Sequence, residues 1–573
     1  MSYSPDLKKK DNFNVTIHEK GIATPNSELS DQLGDAHYNE LPTRKIITIL
    51  LTLSMANMVS FADQTGITVG LSSIAKDLGA ETTINWAGTA SLLANCVCQI
   101  LFGRLSDIFG RKTVLMSCLG ILVVGDVACS VAKSGVEFYI FRAIAGIGNG
   151  GVSSLSMVIL SDIVSLKDRG KYQGILGSSV GIGNAVGPFL MSAFIKVSTW
   201  RSFYYFLAPL GVVVNIAVYF LIEGNGSKLD KVLTKREKFK KIDYLGILVA
   251  SLSLTLLLVA ISGGGSSYAW NSPLVIVFLV VGGLAFIAFL LIEWKVPELP
   301  MIPLNLFKNI SMCLLMTSTF LFGAAYYSFL YYVPYYFQIV KSKSELQTSV
   351  FLLPLVLCQA GMSAVAGQLI SRTGHYLYVV CGGYALWLLA CGLLVLWDDK
   401  LSDGINIVVM LIMGTGVGFS FQPSMVAVQA NCRKAERAVA ISTRNVLRSF
   451  GGAVGIAVGS TIVSNTILSD INNLQVSGSA LDGAFLENFK KHVYEKLDIS
   501  NLSAVQIQEV INLYIHALRN YFYLLIPFMG ICFISSGFIR DRGLQCIDEI
   551  PESKKKDFES AATSSATSSY SST

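Results

Sequence analysis

The chain has 573 residues, 52% apolar and only 14% charged, with a net charge of +6; an ordinary soluble domain is about 25% charged. Uncharged runs of about 20 residues, the length that crosses a bilayer as helix, recur along it, which excludes a soluble globular protein and makes it an integral membrane protein. The basic stretch KLDKVLTKREKFKK at 228–241 lies between two such runs and reads as a cytoplasmic loop, not a nucleic-acid-binding face.

In chain order, residues 1–44 are polar, of mixed charge and without a cleavable signal, so they read as a cytoplasmic tail. Apolar segments at 45–77, 83–102, 113–132, 137–161, 172–195 and 203–222 predict a first six-helix bundle over 45–222. A basic loop follows at 223–242, then two inserted helices over 243–294. Segments at 311–339, 347–370, 377–397, 404–429, 438–465 and 520–539 predict a second six-helix bundle over 311–540. The fold class is therefore all-α, with about fourteen transmembrane helices, because lipid offers backbone groups no other partner and the solid runs do not alternate as barrel strands do.

The second bundle is expected to carry a long non-cytoplasmic loop at 466–519. Phe485, Phe489 and Val493, then Ile507, Val510, Ile511, Tyr514 and Leu518, fall at helical spacing, as in helices lying on the surface. The sequon at Asn501 is a candidate glycan acceptor on that side. Residues 541–573 read as a disordered cytoplasmic tail. Lys and Arg concentrate in the short loops on one side, which puts both termini in the cytoplasm. The 11 cysteines fall in spans or cytoplasmic segments and imply no disulfide framework. With 5 histidines and no His/Cys/Asp cluster, neither an enzyme nor a metal site is expected. No G-x-x-x-x-G-K-[ST] is present to bind ATP.

An internal repeat is visible. GRLSDIFGRK at 103–112 aligns with GQLISRTGHY at 367–376, and IAGIGNGG at 144–151 with IMGTGVGF at 412–419. The chain is thus two six-helix pseudo-repeats, a plan common among secondary transporters, with two helices inserted between them. Arg142 stands opposite Met410 and Asp107 opposite Ser371, so the first half carries more of the charge.

Charges inside spans single out further residues. Asp63 lies midway along the first run and Arg142 within the fourth; both are costly in lipid and so are functional candidates. Asp126 in the third run is a second such acid, and Asn95, Gln99, Asn184, Gln359 and Gln422 are candidate pathway lining. The G-x-G-x-x-G at Gly146, Gly148 and Gly151 follows no strand and is not a nucleotide site. The turn at 103–112 sets Arg104, Asp107, Arg111 and Lys112 at an interface, with Gly103 and Gly110 allowing close approach.

This turn resembles the signature loop of the major facilitator superfamily at Gly103, Leu105, Asp107, Gly110, Arg111 and Lys112. The resemblance implies a cytoplasmic latch that stabilises one of two alternating conformations. Gly174, Gly183, Gly187 and Pro188 resemble the superfamily's antiporter signature, a hinge in the fifth span, although Met191 and Ser192 replace its final glycines. Asp63 and Thr65 match the fourteen-span drug:proton antiporters; burial suits the acid to gaining and losing a proton, so it is a candidate for coupling or binding, and the resemblance assigns proton coupling to Arg142. It implies a proton-coupled antiporter exporting drugs or other cationic or amphipathic small molecules. The alternatives are a vacuolar transporter of Lys, Arg or His and a non-transporting sensor of the same fold. The expected partners are a small-molecule substrate, protons and lipid, with no cofactor beyond the proton gradient. A monomer in the plasma or vacuolar membrane is expected.

Overall fold

The computed structural model describes residues 41–544 apart from 81–82, 223, 225–236, 239–241, 265–269, 296–300, 303, 478–502 and 542. Among these, 14 helices are long and apolar enough to cross a membrane. The first six are α1 (Thr43–Leu78), α2 (Asn85–Phe109), α3 (Arg111–Val131), α4 (Gly135–Ile163), α5 (Leu166–Val197) and α6 (Arg201–Leu221). Then come α7 (Tyr244–Gly263) and α8 (Pro273–Lys295). The last six are α9 (Ile310–Tyr335), α10 (Glu345–Thr373), α11 (Leu377–Leu394), α12 (Asp403–Ala430), α13 (Arg437–Ser477) and α14 (Ala504–Gly537).

The helices pack as two sets that repeat each other. In the first, α1 lies on α5 and α6, α2 on α4, and α3 on α4 and α6. In the second, α9 lies on α13 and α14, α10 on α12, and α11 on α12 and α14. Two large crossings join the sets, α2 on α13 and α5 on α10, and the repeat exchanges one for the other. The inserted α7 packs on α8 and against the α2–α13 crossing. Hydropathy explains the radial order: α8 has mean hydropathy 3.2 and is 17% buried within the protein, whereas α4 has 1.5 and is 83% buried. The greasiest helix faces lipid, and the glycine- and serine-rich one forms the centre.

The duplicated turns have duplicated backbone geometry. Gly110 (φ +94°) both ends α2 and begins α3, and Gly374 (φ +77°) caps α10 by donating its N–H to the Ile370 carbonyl at 2.9 Å. Other residues rarely adopt these φ values. Gly103 and Gly367 sit at the two crossings. A Cβ on Gly103 would run into Ser442 Oγ of α13, and one on Gly367 into the Gly170 carbonyl oxygen of α5.

The outer loop of the second bundle departs from expectation. Helix α13 continues to Ser477 and α14 begins at Ala504, so much of 466–519 belongs to two long spans. Val510, Ile511, Tyr514 and Leu518 do not lie on the surface; they are buried with Ile467 and Ile471 in the second set's core. Their apolar stripe finds a matching stripe on the extended α13, which a single-segment periodicity cannot reveal. Phe485, Phe489, Val493, Asn501, most of 223–242, residues 1–40 and the tail from 545 lie outside the described residues.

A difference between the crossings is testable. At Gly367 an added methyl meets only backbone, whereas at Gly103 its nearest neighbour is a serine side chain. Gly367→Ala should therefore destabilise the protein more than Gly103→Ala, by about 1–3 kcal/mol for the overpacked site. Thermal unfolding of the purified variants checks this; equal losses would contradict it.

Candidate functional site

The centre of the first set is an ion pair. Asp63 of α1 and Arg142 of α4 are 0% and 1% exposed, with Arg142 Nη1 2.5 Å from Asp63 Oδ1. Asn149 stands two turns along the same face of α4. Its amide donates to Asp63 Oδ2 at 2.7 Å, and its carbonyl accepts from Ser60 Oγ at 2.6 Å. Arg142 also donates to Ser91 of α2 at 3.4 Å and lies 6.0 Å from the Tyr204 ring of α6. An arginine held this way is not reaching for the membrane interface; removing either partner of such a pair typically costs about 3–5 kcal/mol.

Asp126 of α3 lies beside the pair, 1% exposed and within electrostatic reach of Asp63 and Arg142. Among the described residues, no N–H or O–H donor reaches either of its oxygens. Two acids thus lie in the field of one guanidinium, which pairs with Asp63 alone. The second set's described residues hold no equivalent at the repeat position: Met410, opposite Arg142, is fully buried in an apolar core.

A file of amides runs from the pair toward the boundary between the sets. Gln64 donates to Ser60 Oγ (3.3 Å), Asn95 to Gln64 (3.1 Å) and Gln99 to Asn95 (2.6 Å). From the second set, Gln359 accepts the Tyr326 hydroxyl proton at 2.8 Å, and Gln422 fills the notch at Gly177 of α5. Asn184 meets the pair's helix through its carbonyl, which accepts from Thr65 at 3.4 Å.

The turn at 103–112 forms a second ionic cluster. Asp107 lies 2.6 Å from Arg111 and 3.3 Å from Arg104, and Arg111 Nε bonds Asp162 of α4 at 2.9 Å. Arg437, from the start of α13, approaches the same Asp162 at 3.8 Å and donates to the Ser161 carbonyl at 3.1 Å. The cluster therefore ties the two sets together. Lys112 stands apart from it, donating to the Tyr219 carbonyl of α6 at 2.6 Å.

The α5 glycines serve two seams. Gly174 meets α10, where a Cβ would lie 2.6 Å from the Ser363 carbonyl oxygen, whereas Gly183 and Gly187 meet α1 at Met58 and Ala62. Pro188 lies within the continuous α5. Sequence reading missed the counterpart on α13, where Gly451 and Gly455 pack on the Phe320 and Ala324 carbonyls of α9. Its signal was the four-residue spacing in GGAVGIAVG. Asn149 and Ser60 were missed too, because neither is charged. In the apparent nucleotide motif, Gly146 brings α4 against the backbone of α2, Gly148 against that of α3, and Gly151 against the Cys118 side chain of α3; Gly150 between them meets the Asn95 backbone of α2.

Cross-set contacts run from the cluster at 103–112 to about the helix midpoints: Ser154 with Ser442 (2.9 Å), Ser178 with the Ala360 carbonyl (2.6 Å), and Cys96 with the Val446 carbonyl (3.9 Å). The sets are closed against each other at this Lys/Arg-rich end.

Comparison with known proteins places this geometry. The family model described as Major Facilitator Superfamily matches residues 53–456. Citrate exporter 1 of Yarrowia lipolytica is 42% identical over 507 residues, covering 88% of this chain and 74% of that one. The efflux pump dotC of Dothistroma septosporum is 32% identical, covering 77% and 75%. The efflux pump aflT of Aspergillus parasiticus is 30% identical, covering 81% and 91%. The solved proton:xylose symporter XylE shares the fold with a TM-score of 0.53 at 14% identity, covering 89% and 99%.

The two-acid arrangement makes the pair's substitutions unequal. Asp63→Asn leaves Arg142 beside Asp126, whereas Arg142→Gln leaves two carboxylates facing each other. Arg142→Gln should lose more thermal stability, and its deficit should shrink as pH falls and the acids are neutralised. Melting curves against pH check this; an equal or larger loss for Asp63→Asn would contradict it.

Proposed function

Since the chain belongs to the Major Facilitator Superfamily, we propose that it is a proton-coupled antiporter exporting a small organic solute by alternating access. The observation that carries this reading is the buried Asp63–Arg142 pair. A proton arriving at Asp63 removes the charge that holds Arg142, so protonation and helix packing between α1 and α4 are coupled. The amide file from Ser60 to Gln99 connects that event to the boundary where the two sets meet. Neither step calls on a cofactor.

The glycine-lined crossings supply the moving parts. With the Lys/Arg-rich end in the cytosol, as the loop charges favour, the described state is closed to the cytosol, and the cluster around Asp107, Arg111 and Asp162 holds it closed. Parting the sets breaks the Asp162–Arg437 approach, while the Asp107–Arg111 contact within the first set survives. This assigns the latch to the boundary of the two sets, with Gly103 and Gly110 shaping it and Lys112 anchoring α6.

Relatives named as efflux pumps favour amphipathic drug-like cargo, and a relative named as a citrate exporter favours an organic acid; both fit export across the plasma membrane. Import of Lys, Arg or His into a vacuole draws no support from these relatives.

Asp63→Asn should abolish pH-gradient-driven export from reconstituted vesicles while the protein remains folded and membrane-inserted. Transport that continues unchanged would remove Asp63 from the coupling.

A further inference from the structure

Arg444 and Arg448 stand one turn apart on one face of α13. They are 1% and 7% exposed. At about 1.5 Å per residue from Arg437 they lie roughly 11 and 17 Å in from the Lys/Arg-rich end, near the middle of a hydrocarbon layer about 30 Å thick. Among the described residues neither forms an ion pair with a carboxylate. Arg444 uses one terminal nitrogen on the Phe421 carbonyl (2.6 Å) and the Ser424 hydroxyl (2.8 Å), leaving its Nε and other terminal nitrogen without an acceptor. Arg448 Nε is likewise buried without an acceptor among the described residues.

The two guanidiniums share one ring: Arg444 lies 5.4 Å and Arg448 4.9 Å from Phe421, and Arg448 is 5.9 Å from Tyr327. Their charges repel each other, and like charges in a low-dielectric interior are strongly unfavourable without a counter-ion. The contrast with Arg142, equally buried but matched to Asp63, is the informative point. Next to Phe421, Gln422 of α12 has both amide atoms buried and, among the described residues, unpartnered. Cys96 of α2 lies within the electrostatic reach of Arg448. The unmatched cations thus border both sets, where a transported solute must pass.

We propose that Arg444 and Arg448 form the binding site for the exported solute, and that this solute is an organic anion bearing two or more carboxylates. The assignment rests on the transporter reading above and names its cargo. Guanidinium groups present paired N–H donors that match carboxylates in a fork, two cations match two anionic groups, and the Gln422 amide supplies a further donor and acceptor. A basic amino acid or a cationic drug would meet two positive charges at this position.

The test uses the full-length protein in detergent with radiolabelled citrate as the polycarboxylate probe. Arg444→Gln and Arg448→Gln should each weaken citrate binding on the order of tenfold or more, the loss expected for a charged hydrogen bond. Arg448→Lys should recover only part of it, because an ammonium lacks the fork. A second arm needs no variant: citrate should shield Arg448 of the unmodified chain from phenylglyoxal, read by peptide mass spectrometry. Full binding in both glutamine variants, or labelling of Arg448 indifferent to citrate, would overturn the assignment. So would displacement of citrate by equimolar inorganic phosphate, which would mark a generic anion site, or by tetraphenylphosphonium. Citrate binding without any pH-gradient-driven transport would instead sink the antiport reading and leave this site standing.

Discussion

The structure depends on two places where helices from opposite sets pack closely, α2 on α13 and α5 on α10, the latter backbone to backbone. In lipid there is no hydrophobic drive to bring helices together, so close contact has to come from small residues that let main chains meet. Gly103, Gly174 and Gly367 provide this at the crossings, and the α5 and α13 glycines fasten each crossing helix to its own set, at α1 and α9. Each set is thereby a packed body, and the joint between the bodies is concentrated in these two crossings. That is the mechanical condition for rocking one body against the other.

Charge placement then distinguishes the jobs of the two bodies. A cation deep in a membrane protein needs a partner, and Arg142 has one in Asp63, whose second oxygen accepts from Asn149, itself held by a hydrogen bond from Ser60. Arg444 and Arg448, equally deep, have a carbonyl, a hydroxyl and aromatic faces but no acid among the described residues. On the reading proposed above, the first set holds and releases the proton. Among its described residues, the second set holds positive charge at Arg444 and Arg448 without a matching carboxylate, the charge that the proposed solute would balance. The repeat has diverged along that line: Met410 fills with methyl and sulfur the position where the first set keeps Arg142.

Much of this was legible in the sequence because the bilayer imposes simple rules. Spanning runs gave the fourteen helices, and the paired GRLSDIFGRK and GQLISRTGHY turns gave the repeat, down to the positive φ shared by Gly110 and Gly374. Asp63 and Arg142 stood out as charges inside apolar runs, but their direct contact is a property of α1 packing near α4 and has no local signature. Arg444 and Arg448 also lay inside a predicted span and were open to the same argument. What the sequence could not show was that no acid among the described residues comes near them, since absence of a partner is a fact of three dimensions. The start of α14, Ile507 to Leu518, reads in sequence as a surface helix because an amphipathic stripe looks the same whether lipid, water or a neighbouring helix covers it.

The most direct test of the account is a pair of distances across the α5–α10 crossing, measured by double electron–electron resonance on spin-labelled protein in nanodiscs. One pair of labels belongs at exposed Asp168 and Arg372, on the Lys/Arg-rich side, and the other at exposed Val197 of α5 and Val350 of α10, toward the opposite side. Two rigid bodies rocking about these crossings predict opposite changes when pH and solute are varied: as the Asp168–Arg372 distance lengthens, the Val197–Val350 distance shortens. Distances that move in the same direction, or a change confined to one end, would contradict the rocking of two packed bodies.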